Sequence, residues 1–416
     1  MLEKFFNTRV RPKFALSPQD RPAIEGGKKV RKNGQLQPFS YSFGKEEINE
    51  VINTLKSGWI STGPKTHRFE EALEKYIGCD YLIPLNSCTA GLHLSLLAAG
   101  VGKGDEVITT PFTFAATANV IIHVGAKPVF VDIQKDTYNI DPDLIEKAIT
   151  KKTKAIIPVH YGGHPCDMDE ISKIAKKYNL AVIEDAAHAI GAKYKGKNIG
   201  TISDYTAFSF YATKNITTGE GGAVSLKNKS AEEKIRIMSL HGMNRDAWKR
   251  YGKGGYWYYE VKYPGFKYNM TDIQASIGLH QLKKLENFIK KREKIARFYD
   301  KSFKEISAIT VPTKRNYVRH ARHLYSILLN LNKLKINRSQ FFDALDAENI
   351  GASVHFIPVH LHPYYKETFG FKRGDFPNAE YVYDKIISLP MNPTLTIKEA
   401  KQVVDAVKKI VNYYKK

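Results

Sequence analysis

Residues 205–226 read YTAFSFYATKNITTGEGGAVSL. The apolar alternation from Tyr205 to Phe210 predicts a buried strand, and GAVSL at 222–226 predicts another. The segment between them is too short for a crossover helix. The two strands are therefore expected as neighbours joined by a loop, with an antiparallel course open to one of them. Lys214 stands in that loop among small residues and glycines. Exposed helices offer lysine easier positions. At the rim of an apolar site, a lysine can have a lowered pKa and act as a nucleophile toward carbonyls. Taken alone, it reads better as a surface lysine in a loop.

Upstream, short β-rich runs alternate with helical patterns. YLIPL, EVITT, PVFVD, KAIIPV and LAVIED read as strands. TAGLHLSLLAAG, FAATANVIIHVGA, DPDLIEKAI and MDEISKIAKKYN read as helices. This predicts an α/β fold with βαβ units and a mostly parallel central sheet flanked by helices. An amphipathic helix is expected before it, with Ile48, Val51, Ile52 and Leu55 on one face and Gly58 ending it. A long helix begins near residue 271. Beyond it, LYSILLN and ASVHF read as strands, and RSQFFDALDAE and the closing IKEAKQVVDAVKKIVNYYKK as helices. The expected organisation is a basic, Pro- and Gly-containing arm over 1–38, a large domain over 39–305 and a smaller C-terminal α/β domain over 306–416.

The 416 residues are 43% hydrophobic and 25% charged, the profile of a globular protein. No apolar run reaches the ~18 residues a membrane span needs, and the first residues lack the continuous apolar core of a signal peptide. Three scattered cysteines suit a reducing, cytoplasmic setting rather than a disulfide framework. The net charge of +22 raises nucleic acid as a partner. No zinc-finger spacing, RNP signature or basic heptad region accompanies it, and the lysines are spread over many helices. A solvated basic surface that attracts an anionic small substrate accounts for the charge.

In open α/β sheets, ligands bind outside the carboxyl ends of the strands. Three features fall there. LNSCTAGLH turns a strand into a helix at Ser87–Gly91, where free N–H groups and the helix dipole suit a phosphate; an ordinary N-cap would look the same. Asp185 ends a buried strand, where an unpaired carboxylate is costly. Lys214 follows. A phosphate cradle, a buried Asp and a downstream Lys are the parts needed to hold pyridoxal 5'-phosphate. They anchor its phosphate, keep its ring nitrogen protonated and form its Schiff base.

The stretch EDAAHAIGA…GTISDYTAFSFYATKNITTGEGGAVSL resembles the DegT/DnrJ/EryC1/StrS sugar aminotransferases of the fold type I pyridoxal phosphate class. The likeness continues through GDEVITTPFTFAATANVI, PVHYGGHPCDMDEI, HGMNRDAWKRY, PGFKYNMTDIQASIG and VHFIPVHLHPYY…SLPMNP, over roughly residues 38–416. The resemblance implies that Lys214 bonds the cofactor and Asp185 pairs with its ring nitrogen. It places His188 near the phenolic oxygen, Thr89, Ala90 and Ser209 on the phosphate, and Phe114 on the ring. Asn269 would reach the phosphate in the other subunit of a homodimer with shared sites. Tyr161 and His355 are candidates for the sugar pocket. Tyr211 and Cys88 depart from the family pattern.

The implied activity is transfer of an amino group from glutamate, leaving 2-oxoglutarate, to a nucleotide-diphosphate keto sugar, a 4-keto-6-deoxyhexose above others. A 3-keto sugar aminotransferase, a pyridoxamine-dependent dehydratase on the same scaffold and a non-enzymatic regulator are the alternatives. The family's dehydratases replace the lysine with His, so Lys214 argues against the second. An intact Lys214, Asp185 and Ser209 argue against the third. His160, His164, Cys166, Asp167, His355, His360 and His362 crowd two segments, but neither spacing repeats a metal-ligand pattern, so no metal is expected. The segment RYGKGGYWYYEVKYPG would wall the nucleotide site or pack at a subunit interface.

Overall fold

The computed structural model describes residues 17–244 and 258–416. Part of the aromatic segment expected near the nucleotide, 250–257, therefore lies outside the described residues.

After a short 3-10 helix at Ala23–Glu25 come α1 (Lys45–Ser57) and α2 (Pro64–Ile77). The chain continues through β1 (Tyr81–Leu85), α3 (Cys88–Ala98), β2 (Glu106–Thr109), α4 (Ala115–His123), β3 (Lys127–Phe130), α5 (Pro142–Ala148), β4 (Thr153–Ile157), α6 (Met168–Tyr178) and β5 (Ala181–Asp185). A small hairpin, β6 (Lys193–Tyr194) and β7 (Lys197–Asn198), precedes β8 (Tyr205–Ser209), β9 (Gly222–Leu226) and α7 (Lys229–Met238). The central sheet has seven strands in the order β1-β9-β8-β5-β4-β2-β3. Only β9 runs against its neighbours, as the short connection 210–221 requires. The other strands rise in parallel and are apolar because helices cover both faces. Phe69, Phe208 and Leu285 belong to the core on one face; Leu92, Val120 and Ile235 belong to the core on the other.

The 32-residue α8 (Asp272–Phe303) packs its first half on α1 and α2. A Cβ at Gly278 would meet the Phe69 ring at 2.5 Å, so glycine permits this close approach. Asp272 caps α2, accepting from the backbone of Gly63, Lys65 and Thr66, where the helix dipole favours a carboxylate. The far end of α8, through Ile295, Tyr299 and Phe303, enters a separate core. That core lies against an antiparallel sheet of β10 (Ile309–Thr310), β12 (Tyr325–Leu329) and β13 (Ile386–Leu389). β11 (Val318–Arg319) joins the small hairpin. The helices α9 (Arg338–Ala347), α10 (Pro363–Phe369), α11 (Pro377–Tyr383) and α12 (Ile397–Tyr414) complete the chain.

One expectation needs correction. ASVHF (352–356) is not a strand: only Ser353 makes a bridge, to Ser388. The carbonyl of His355 instead accepts from the Tyr161 hydroxyl. The strands that pair with β12 are β10 and β13, neither of which the sequence pattern singled out. The helix expected ahead of the sheet forms as α1 and ends at Gly58. Its packed residues are Glu47 and Thr54, with Glu47 held by Lys284 and Gln281 of α8. Its apolar face is outward, with Ile48 56%, Ile52 41% and Leu55 55% exposed. Residues 17–38 run along the second core: the buried carboxylate of Glu348 accepts from the N–H groups of Ala23 and Val30, and Leu36 bridges Ile350.

Candidate active site

Strand register assembles the site. Gly222 is opposite both Leu85 and Ser209, and Asp185 is opposite Ala207. The ends of β1, β5 and β8 and the start of β9 thus lie along one edge. Beyond β1, Ser87 caps α3 by accepting from Ala90 N–H at 3.1 Å. The N–H groups of Cys88 and Thr89 have no acceptor among the described residues. A Cβ on Gly222 would lie 2.3–2.6 Å from the Ser87–Cys88 backbone, so a glycine is needed to bring β9 against this turn. The result is a small-residue cradle with free donors, fitted to a phosphate.

Asp185 is buried, and both of its oxygens are engaged. Oδ1 accepts from Ala187 N–H at 3.1 Å and Oδ2 from the Thr117 hydroxyl at 2.7 Å. Thr117 is in turn 2.8 Å from Thr113 Oγ1. These bonds aim the carboxylate and leave its charge without a cation: no salt bridge reaches it among the described residues. Lys214 is half-buried and likewise forms no ion pair there. Burial lowers its pKa to about 8, against smaller opposing effects of Cys88 and Asp185. A buried acid and a weakly basic amine therefore share the site without quenching each other. That suits a cofactor with an aldehyde for the amine and a ring nitrogen for the acid.

His188 is buried, and its Nδ1 accepts from Gly162 N–H at 3.2 Å. This bond places the ring proton on Nε2. Burial, followed by the charge of Lys214, holds His188 well below the usual imidazole range. It is a neutral donor. His355 is similar: its Nδ1 is 2.9 Å from Ser388 Oγ, and burial together with Lys214 lowers its pKa to about 4. Tyr161 is buried, with its hydroxyl 2.7 Å from His355 O and 3.1 Å from Ser326 Oγ. Its hydroxyl thus supports the 355 backbone. Phe114, the N-cap of α4, is 66% exposed and packs 6.3 Å from the Phe356 ring. Ser209 ends β8 and takes a long bond from Tyr211 N–H. Asn269 bridges Leu85; its amide donates to Thr62 Oγ1 and its Oδ1 is buried without a partner among the described residues.

Two histidines of the crowded segments have carboxylate partners. His160 is 2.7 Å from Glu184 and accepts from Cys166 N–H. His360 is 3.0 Å from Glu380. Among the described residues, no three His, Cys, Asp or Glu side chains converge as a metal would require. Sequence reading missed Thr117, Asn215 and His323. The spacing of Thr113 and Thr117 across one helical turn was the available signal for the first.

A model of the DegT/DnrJ/EryC1/StrS aminotransferase family matches residues 42–408. The chain belongs to this family. As an aminotransferase, it is similar to the spore coat polysaccharide biosynthesis protein SpsC of Bacillus subtilis, at 50% identity over 92% of this chain and 99% of that one. Among solved structures, it is similar to Spr1654 of Streptococcus pneumoniae, known in a PLP-form, with 37% identity, a TM-score of 0.84 and coverage of 91% and 99%. It is also similar to Helicobacter pylori PseC, an aminotransferase involved in the biosynthesis of pseudoaminic acid. That match has 32% identity and a TM-score of 0.85 over 91% and 100% of the two chains. The family depends on pyridoxal phosphate, and the cradle, Asp185 and Lys214 of this aminotransferase fit that group. No described helix is long and apolar enough to cross a membrane.

Proposed function

We propose that this chain is a sugar aminotransferase that takes an amino group from glutamate and delivers it to the ketone of a nucleotide-diphosphate sugar. The reading prefers C4 of a 4-keto-6-deoxyhexose. The observation that carries the chemistry is the pair of Lys214, an amine with its pKa lowered to about 8, and Asp185, a carboxylate held by Thr117 and Ala187. Pyridoxal phosphate, when bound, supplies an electron sink for breaking a C–H bond beside nitrogen. Lys214 would hold that group and, once displaced, accept and return a proton at Nζ. Asp185 would keep a proton on the ring nitrogen. His188 would donate from Nε2, and the N–H groups of Cys88 and Thr89 would take the phosphate, with Thr89, Ala90 and Ser209 around it.

The sugar assignment is supported by the likeness to SpsC and PseC, and the nucleotide by the +22 charge. The outward apolar face of α1 supports a homodimer, and Phe114 and Asn269 would then act in sites shared between subunits. Cys79, Cys88 and Cys166 are all free thiols, which suits the cytoplasm. The deciding experiment supplies glutamate with a panel of 3-keto and 4-keto nucleotide sugars and follows 2-oxoglutarate. Amination of a 4-keto sugar is expected. Equal turnover of the free sugar without its nucleotide would overturn the nucleotide assignment.

A further inference from the structure

Arg322 holds a φ of 51°. A residue with a side chain persists in this left-handed region only where its surroundings over-determine it. Here they do. The N–H of Ala321 donates to Gly163 O, and those of His323 and Leu324 donate to Gly162 O. The buried Arg292 of α8 donates through Nη1 to the carbonyls of Arg322, His323 and Met391. Arg322 itself is tied to Glu293.

This turn delivers the His323 ring, 2% exposed, onto His188, with centroids 4.3 Å apart and planes at 34°. Phe39 packs against His323 as well, at 6.3 Å and 20°. His323 Nδ1 is 3.2 Å from Asn215 Oδ1. The amide nitrogen of Asn215 is committed to Ala321 O at 2.9 Å, so its oxygen accepts and His323 carries its proton on Nδ1. Asn215 is the residue after Lys214. One imidazole therefore touches the His188 ring and the neighbour of Lys214. Among the described residues, the titratable and charged groups that act on it most are His188, Lys214, Arg292 and His355; burial first, then these groups, hold it well below the ordinary imidazole pKa.

We propose that His323 is a positioning residue: a neutral imidazole protonated on Nδ1 that fixes the ring plane of His188 and, through Asn215, the Lys214 loop. It thereby sets the relation between the Lys214 amine and the His188 Nε2–H. The role in turnover rests on the transaminase reading; the ring's tautomer and neutrality do not.

Two measurements test it. Long-range proton–nitrogen spectra of the cofactor-free full chain, assigned with His323→Phe, should show His323 neutral at pH 6 with its proton on Nδ1. A cationic ring, or a proton on Nε2, would overturn the proposal. In the loaded enzyme, His323→Phe keeps a ring without the donor, and His323→Asn keeps a donor at the Nδ1 position without the ring. Each should move the pH midpoint of the cofactor's absorbance by about half a unit or more. Each should also lower kcat for the glutamate half-reaction about tenfold or more, with KM within about twofold. An unmoved midpoint, or a rise in KM alone, would overturn it. A wild type that shows the expected imidazole spectrum but no reaction with glutamate would contradict the donor reading and leave the His323 geometry standing.

Discussion

The Thr117 hydroxyl donates to Asp185 Oδ2 at 2.7 Å, across 68 residues of chain. With the Ala187 N–H on Oδ1, it orients a buried carboxylate that has no cationic partner among the described residues. Asp185→Asn keeps the shape and removes the charge that would hold a proton on the ring nitrogen. We expect kcat to fall by about a hundredfold or more with the fold intact. Thr117→Val removes one bond and should cost less, about tenfold, because the Ala187 bond remains. Stopped-flow rates of the two variants, with circular dichroism as the fold control, check this. An unchanged rate in Asp185→Asn would assign the ring nitrogen to another acid.

Lys214 should carry the cofactor. Borohydride reduction of the loaded protein should leave the cofactor's mass on the peptide containing Lys214, and Lys214→Ala should lose both that mass and turnover. The pKa lowered to about 8 adds a pH signature. Uptake of pyridoxal phosphate by cofactor-free protein needs the free amine. Its rate should therefore rise with pH through about 8 and level off above it. A midpoint near the ordinary lysine value of about 10.4 would show that burial does not tune this amine.

Much of this was legible along the chain. Apolar strands that stop at a functional residue, as β5 stops at Asp185 and β8 at Ser209, carry their signal locally in pattern and end residue. What escaped depends on contacts that sequence separation hides. Asn215 meets Ala321, and His323 meets Asn215, more than 100 residues apart. Neither residue type is unusual in its own segment. For α1, the periodicity identified an apolar face but could not say what covers it; within one chain, α8 takes the polar side through Glu47 instead. The reading of 352–356 as a strand failed because β propensity does not reveal where a carbonyl finds its donor. That of His355 finds Tyr161.

The segment 17–38 should stabilise the second core chiefly through Glu348. This fully buried carboxylate accepts from Ala23 and Val30 and is 2.8 Å from Lys409. Glu348→Ala leaves the Lys409 ammonium buried without its carboxylate, a loss on the order of 3–5 kcal/mol. Glu348→Ala with Lys409→Met should recover part of that loss, since removing both members of a buried pair costs less than removing one. Urea titration of the three proteins decides it. Equal midpoints for wild type and Glu348→Ala would mean that the segment does not hold the core through this group.

The nucleotide reading predicts a salt dependence. A diphosphate brings about two to three negative charges toward a chain of net charge +22. Each close pair at a wet surface is worth only about 1 kcal/mol, so charge cannot choose the sugar. It can raise the encounter rate. Between 0.05 and about 0.5 M salt the Debye length shrinks several-fold, and kcat/KM for the nucleotide sugar should fall while kcat holds. A flat profile would remove electrostatic steering from the account.

The last prediction separates shared from private sites. In the proposed homodimer, the exposed Ile48, Ile52 and Leu55 face of α1 would be covered by a second copy, which would bring its own residues to the site. Ile52→Lys with Leu55→Glu should therefore give a monomer by light scattering, with little activity. Whether Asn269 acts across the interface needs a finer test, because in its own chain it bridges Leu85 beside the α3 cradle. Lys214→Ala and Asn269→Ala, each expected to be inactive or nearly so, can be unfolded together and refolded as mixed dimers. If Asn269 serves the partner's phosphate, each mixed dimer regains one intact site, since the Lys214→Ala subunit lends its Asn269 to the lysine of the other. Random pairing then restores about a quarter of wild-type activity. If Asn269 serves its own subunit, no pairing reunites it with Lys214 and mixing restores nothing.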